Sequence, residues 1–474
     1  MKKGLLWACL ILAPLLSFLL NLHDFFVGDD FCLLEQSRNL SGPLLLTPGF
    51  AAYFRPIPLI CYHLLGKIVG LQPFGFHITS LLIHLMNVFL LYSFILNLTR
   101  DKMVSALAGL GFSSHFAHVE AVVWISSLNE VLASSFGLLF LWSFWKSIGG
   151  KSRWGIPYSA SLFLLVLALF SKESMVILPF LAVVLALLYV NEDRKKSLWL
   201  LGPHLLLILG YIFLRLSLGA AMPTFAPGKQ GAFSLSPVSV LSNYGHFLIS
   251  LLLPIRFIFD LSGYAAYEHL AFLNPARGPL LIALVATLLV VVLLLILLGK
   301  SLRAGKALWA GGLWILVALL SYVFFTGKGE RFLYFASAGT SLIFASLLCA
   351  LIGKRKILGT ALVVLFFILG MGIRFERGRW WSQAAEVSQT VLTDLKAVSP
   401  SGPALLLIDV PSRIHGAFVF TTCIGSAVHL FVPNWSRSVL LVNRDELAEI
   451  KRSQPEAEVF IWKENHLVKA GERE

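Results

Sequence analysis

Long apolar runs, separated by short polar and charged clusters, organise most of the chain. Eleven of them, at about 5–22, 76–98, 103–117, 121–145, 157–171, 174–190, 197–218, 279–299, 307–325, 332–352 and 357–373, read as membrane-spanning helices. About 20 apolar residues suffice to cross the hydrocarbon core. The runs at 103–117 and 157–171 are short, so they must stand nearly upright. PIPLICYHLLGKIVGL, at 56–71, is broken by Pro and Lys and reads as an interfacial helix. NYGHFLISLLLPIRFIF, at 243–259, reads as a re-entrant or interfacial helix.

Beyond residue 373 the pattern changes. The runs ALLLIDV (404–410), AVHLFV (427–432), SVLLV (438–442) and EVFIW (458–462) have strand length, with Pro, Gly, Asn and charge between them. They predict a small α/β domain. The expected fold is an all-α polytopic membrane protein of about eleven transmembrane helices, residues 1–373, with a small extracytoplasmic α/β domain, residues 374–474.

Composition narrows the class. Hydrophobic residues make up 57% of the 474 and charged residues 13%, about half the share of a soluble protein. An ordinary soluble enzyme is excluded. So is a disordered chain, which would be poor in Leu, Phe and Trp.

The net charge of +13 would suggest nucleic acid in a soluble protein. Here the cations sit in alternate connections: Lys2 and Lys3; Arg100 and Lys102; Lys146, Lys151 and Arg153; Arg194, Lys195 and Lys196; Lys300, Arg303 and Lys306; Lys354, Arg355 and Lys356. With the N-terminus in the cytoplasm every one of these clusters is inside, as the positive-inside rule asks. The basic excess is topogenic and no nucleic-acid partner is expected. Eleven spans leave the C-terminal domain outside. The basic, apolar N-terminus has no small-x-small cleavage site and reads as an uncleaved span. The five cysteines show neither a CxxC nor a metal spacing, and no disulfide framework is expected.

Under this topology the polar residues at membrane edges collect on the outer side. Ionisable groups there are functional candidates. VGDDF carries Asp29 and Asp30, adjacent carboxylates that repel and so raise one pKa; such a group can take the proton of an attacking hydroxyl. A solvated pair marking a helix end is the bland reading. Arg55, in YFRPIP, suits a phosphate, or merely precedes a turn. In HFAHVEAVVWI, His115 and His118 share a helix face while Glu120 does not, so a metal site from this segment alone is weak. Lys172 and Glu173 form a short turn between two spans, either a cation for phosphate or a local ion pair. GKGERFLYFASAG offers Lys328, Glu330, Arg331 and Tyr334 at a helix start, a natural anion site or an interfacial anchor.

These motifs follow a family order: an acidic pair after the first span, an Arg-Pro helix, PFGFHITSLLIHLMNVFLLY, HVEAVVWI, SKES and ERFLYFASAG. The chain resembles the GT-C superfamily of integral-membrane glycosyltransferases over about residues 20–345. It looks closest to the protein O-mannosyltransferase-like branch that carries tetratricopeptide repeats in animals.

The resemblance implies an inverting transfer of a hexosyl, mannose-like sugar from a polyprenyl-phosphate-linked donor on the outer face. By position it implies a catalytic carboxylate at Asp29 or Asp30, donor-phosphate contacts from Arg55, Lys172 and Arg331, and further site positions at His118, Glu120, Glu173, Glu330 and Tyr334. A small domain stands in place of the tetratricopeptide tail, so the resemblance does not by itself imply a protein acceptor; a glycolipid, glycan or protein acceptor is expected. Members with and without a divalent ion exist, so a divalent metal is a candidate cofactor with no ligand set assigned. Plain basic inner loops suit a bacterial inner membrane. The competing class is a non-catalytic transporter or flippase of polyprenyl-linked sugars, which should show inverted repeats or broken helices near the midplane; the sequence shows neither.

Overall fold

A computed structural model describes residues 3–149, 154–190, 199–220, 233–254, 305–325, 327–398 and 402–470. The apolar runs form helices α1 (Lys3–Phe18), α4 (Pro73–Thr99), α5 (Lys102–Ser113), α6 (Leu128–Gly149), α7 (Ile156–Ser171), α8 (Leu178–Tyr189), α9 (Gly202–Ser217), α11 (Gly305–Leu319), α12 (Ser337–Lys354) and α13 (Lys356–Ala397). The connection between α1 and α4 adds α2 (Asp30–Arg38) and α3 (Pro56–Val69), and α10 spans Pro237–Leu252. The run at 279–299 and the end of the 243–259 segment lie outside the described residues.

Local chemistry sets several boundaries. Asp101 caps α5 by accepting from the amides of Met103 and Val104 at 2.8 and 3.0 Å. Prolines open α3 and α4, where a missing N–H costs nothing. Among the described residues, the helices at Pro73–Thr99, Ile125–Ile148, Ser337–Lys354 and Lys356–Ala397 are long and apolar enough to cross a membrane, and shorter apolar helices of 10–17 residues accompany them. The chain is an integral membrane protein.

α4 packs against α5 and α6, α6 against α7, and α12 against α5 and α11. Around the 118 and 334 turns the interior is polar. The Tyr334 hydroxyl meets His84 Nδ1 at 2.7 Å and the Asn87 amide at 3.1 Å, and Ser135 donates to Asn87 at 2.6 Å. His118 Nε2 meets the Ser337 hydroxyl at 2.7 Å.

Three expectations are corrected. The predicted span at 121–145 is not one helix: residues 116–127 fold as short broken turns, two 3-10 turns flanking a five-residue helix at Val119–Val123, and α6 starts at Leu128. The polar run Ser126, Ser127, Asn129, Glu130 explains this: all four are buried, with Ser126 bonded to Asp30, Asn129 to the Ser126 carbonyl and Glu130 to Lys172. The predicted strand at 427–432 is helix α14, Ile424–Phe431. Its buried Ile424, Ala427 and Val428 have helical spacing, which a short apolar run cannot distinguish from a strand. The third is a disulfide joining Cys32 to Cys423 across 391 residues, a pairing that no local spacing could reveal.

α13 runs unbroken through residue 374 into the C-terminal region. There, β1 (Ala404–Ile408) is the buried centre of a four-stranded sheet. It pairs in parallel with β2 (Ser438–Val442) and β3 (Glu458–Lys463), and β4 (His466–Lys469) pairs antiparallel to β3. Burial on both faces suits a central parallel strand. α15 (Arg444–Ser453) completes the domain.

Candidate active site

The two carboxylates of the loop between α1 and α2 do different things. Asp30 is buried, accepts from the Val27 amide at 3.0 Å, and accepts from the amide and hydroxyl of Ser126 at 2.7 and 2.5 Å. It pins the loop to the broken turns before α6. Burial pushes its pKa up, against the hydrogen bonds from Ser126 and Val27, to about 7.

Asp29 stands at the N-cap of α2, yet its side chain makes no capping bond to that helix. One carboxylate oxygen, Oδ1, instead accepts from the Thr421 hydroxyl at 2.8 Å. No hydrogen bond engages Oδ2 among the described residues. Burial raises the Asp29 pKa above the usual carboxylate range, while Thr421 and then the charges of Arg331 and Arg55 draw it back. The preceding Gly28 has φ +56°, and a Cβ there would stand 3.1 Å from Phe418. Only glycine fits that left-handed, crowded position comfortably.

Arg55 grips Glu173 with a two-point fork, Nε to Oε2 at 2.9 Å and Nη2 to Oε1 at 2.5 Å, and stacks over Tyr53 at 4.0 Å. Arg215 approaches the same carboxylate at 3.8 Å. Arg331 is paired with Glu120 and lies over Trp124 and Phe332 at 4.9 and 4.8 Å. Glu120 also accepts the amides of Glu330 and Arg331 at 2.8 and 3.3 Å, so it ties the 330 turn to the 120 turn. Glu330 in turn pairs with Arg377 of α13.

Lys172 is set deeper. Its side chain is 3% exposed, paired with an equally buried Glu130, beneath the rings of Tyr322 and Phe332. Arg55 and Arg331 keep 18% and 25% exposure. Those two are open to a ligand; Lys172 lies behind them. His118 and Tyr334 belong to the buried polar interior described above. Glu173 and Glu120 are the counter-charges of Arg55 and Arg331. The structure therefore gathers Asp29, Arg55, Glu173, Glu120 and Arg331 around one region, with Asp30, Lys172, Glu330, His118 and Tyr334 beneath it.

Several participants escape sequence reasoning: Glu130, Arg377, Ser126, Thr421 and the Cys32–Cys423 pair. For Ser126 and Glu130 there was a signal, since SSLNE is a dense polar cluster inside an otherwise apolar run. Thr421 carried none. Among the described residues no three His, Cys, Asp or Glu side chains converge in a way that could hold a metal ion.

With this geometry the fold can be compared. The fold is shared with a solved membrane oligosaccharyltransferase, an architecture of the kind the sequence resemblance implies. The oligosaccharyltransferase of Archaeoglobus fulgidus in the apo form superposes with a TM-score of 0.52 at 12% identity, over 97% of this chain and 69% of that one. ArnT from Cupriavidus metallidurans, bound to undecaprenyl phosphate, superposes with a TM-score of 0.45 at 12% identity, over 97% and 93%.

In sequence, the chain is similar to Protein O-mannosyl-transferase TMTC2 of Homo sapiens, 37% identical over 100 residues, 21% of this chain and 12% of that protein. Protein O-mannosyl-transferase TMTC1 of Mus musculus is 30% identical over 119 residues, 25% and 13% of the two chains. These matches span little more than a tenth of the relatives' own length. No family model matches the chain.

Proposed function

We propose that the protein is a membrane glycosyltransferase. It moves a sugar from a polyprenyl-phosphate-linked donor to an acceptor hydroxyl at the outer face of the membrane. The observation that carries this reading is Asp29: a half-buried carboxylate released from helix capping, with a raised pKa and the cations Arg331 and Arg55 nearby.

In this reading Asp29 Oδ2 takes the proton of the acceptor hydroxyl. The acceptor oxygen forms a bond to the anomeric carbon from the face opposite the phosphate, and the carbon–oxygen bond to the phosphate breaks. The electron pair leaves with polyprenyl phosphate, and the anomeric configuration inverts. A phosphate monoester is a good leaving group, so no acid is needed there. Arg55 and Arg331 offer charge-assisted hydrogen bonds to its growing charge. For Arg55 this means exchanging part of its Glu173 fork for phosphate. Lys172, buried with Glu130, adds positive field from behind. Tyr334 and His118 keep the 330 and 120 turns in register through the buried network.

The Cys32–Cys423 disulfide supports the orientation. Disulfides persist in oxidising compartments, and this one joins the first outer loop to the C-terminal domain. Both then lie outside the cytoplasm, with the N-terminus inside, as the loop charges ask. A bacterial inner membrane with the site facing the periplasm fits all of these. The acceptor is a glycolipid, glycan or protein hydroxyl. A divalent ion has no ligand cluster among the described residues, and no step here uses one.

The test is turnover. Purified protein in lipid nanodiscs is given undecaprenyl phosphate carrying mannose, glucose, galactose or N-acetylglucosamine, and undecaprenyl phosphate is followed by mass spectrometry. Release from at least one donor, abolished in Asp29→Asn, is expected. Binding or bilayer translocation of the donors without release would favour the flippase reading instead.

A further inference from the structure

Residues 28–32 of the first outer loop and 419–423 of the C-terminal domain are joined at successive points. The Gly28 amide donates to the Val419 carbonyl at 2.7 Å. Phe31 stacks on Phe420 with ring centroids 5.6 Å apart. Cys32 is disulfide-bonded to Cys423. Between these links, the Thr421 hydroxyl donates to Asp29 Oδ1 at 2.8 Å. α13 anchors the same segment, because Ser388 donates to the Val419 carbonyl at 3.0 Å.

Thr421 adopts φ +41°. A β-branched residue in that region is a backbone outlier, and such conformations persist only where the surroundings over-determine them. The links on either side do so here. Glycine would meet the same backbone without strain. The residue present instead is one that carries a hydroxyl, and that hydroxyl is spent on Asp29.

We propose that the C-terminal domain completes the active site, with Thr421 as the positioning residue for Asp29 and the Cys32–Cys423 disulfide as the clamp that keeps it in register. The proposal rests on the reading of Asp29 as the base. The Thr421 hydroxyl holds Oδ1, fixes the rotation of the carboxylate, and leaves Oδ2 directed at the acceptor. A donor hydrogen bond also favours the ionised carboxylate, which is the form a base needs. The other charged and titratable groups acting on Asp29 are Arg331 from the 330 turn, Arg55 before α3, and its own neighbour Asp30; Tyr62 of α3 also lies nearby and donates to the Ile125 carbonyl at 2.7 Å. None of them holds an oxygen of Asp29.

Thr421→Val, Thr421→Gly, Thr421→Ser and Asp29→Asn are compared in nanodiscs. The donor is whichever of the four undecaprenyl-phosphate sugars is turned over, and undecaprenyl phosphate binding is measured separately. Thr421→Val is expected to lower kcat by about tenfold to a hundredfold, the worth of one hydrogen bond to a charged group. It should move the acid limb of kcat/KM to higher pH and leave undecaprenyl phosphate binding unchanged. Thr421→Ser should restore both. Thr421→Gly relieves the positive φ, so it should fold at least as stably and still lose rate, which separates positioning from scaffolding. If Thr421→Val and Thr421→Gly match the wild type in kcat and acid limb while Asp29→Asn is inactive, the positioning role is refuted and the base reading stands. If Asp29→Asn itself turns over normally, the base reading falls and takes this proposal with it.

Discussion

Arg55 and Glu173, 118 residues apart, meet as a two-point fork at 2.9 and 2.5 Å. Although burial opposes its charge, the Arg55 guanidinium holds the Glu173 carboxyl down at about 2. A guanidinium already oriented by one anion is ready for exchange with another. Arg55→Ala is expected to weaken undecaprenyl phosphate binding by about 1.5–3 kcal/mol, or one to two decades in Kd. Arg55→Lys should recover only part of that, because an ammonium lacks the planar fork. Equal titration calorimetry curves for wild type and Arg55→Ala would remove Arg55 from the phosphate site.

Lys172 and Glu130 call for a different test, since both are buried. Removing one partner of a buried ion pair costs about 3–5 kcal/mol, whereas replacing both with apolar groups is often neutral. Lys172→Ala should therefore melt far below the wild type in detergent. The double variant Lys172→Met with Glu130→Leu should regain most of that stability and still turn over slowly, for want of the positive field. A double variant with full activity would make the pair purely structural.

Asp30 sets a pH dependence of folding. Its carboxyl is raised to about 7 in the folded chain from about 3.9 when unfolded. The folded state therefore keeps a proton that the unfolded state loses. The stabilisation is fully present below about pH 4 and declines as pH rises through about 7. Asp30→Asn should remove that slope. Melting temperatures recorded from pH 4 to 8 should fall more steeply for wild type than for the variant, and parallel curves would contradict the assignment.

Orientation can be read with a thiol probe. The disulfide protects Cys32 and Cys423, so only Cys9, Cys61 and Cys349 need replacement. Thr47→Cys, in the exposed connection after α2, should then react with a membrane-impermeant maleimide added to intact cells. Labelling that requires membrane disruption would reverse the topology. Non-reducing electrophoresis of the same sample should run faster than the reduced one.

The sequence could be read wherever the cause is local. Apolar length located α1, α4, α5, α7, α9 and α12 to within a few residues, and the Pro-led run at 56–71 was legible as the helix α3. The strands at 404–408, 438–442 and 458–463 were legible as short apolar runs of strand length, but 427–432, read the same way, is helix, because so short an apolar run carries no decisive period. Asp29, Arg55 and Arg331 were legible as charges at an apolar border. Their partners were not. Glu173 and Glu120 looked like companions of their own neighbours, yet they pair with residues 118 and 211 positions away. The division of labour between Asp29 and Asp30 depends on Ser126 and Thr421, 96 and 392 residues distant, and only the assembled fold brings those into reach.

That division is the centre of the account, and the most direct measurement is single-turnover release of undecaprenyl phosphate by Asp29→Asn and Asp30→Asn at saturating donor. General-base catalysis is worth about two to four decades. The account predicts that Asp29→Asn is folded, binds undecaprenyl phosphate normally and is slower by at least about a hundredfold, while Asp30→Asn retains most of its rate. An active Asp29→Asn beside an inactive Asp30→Asn would contradict it.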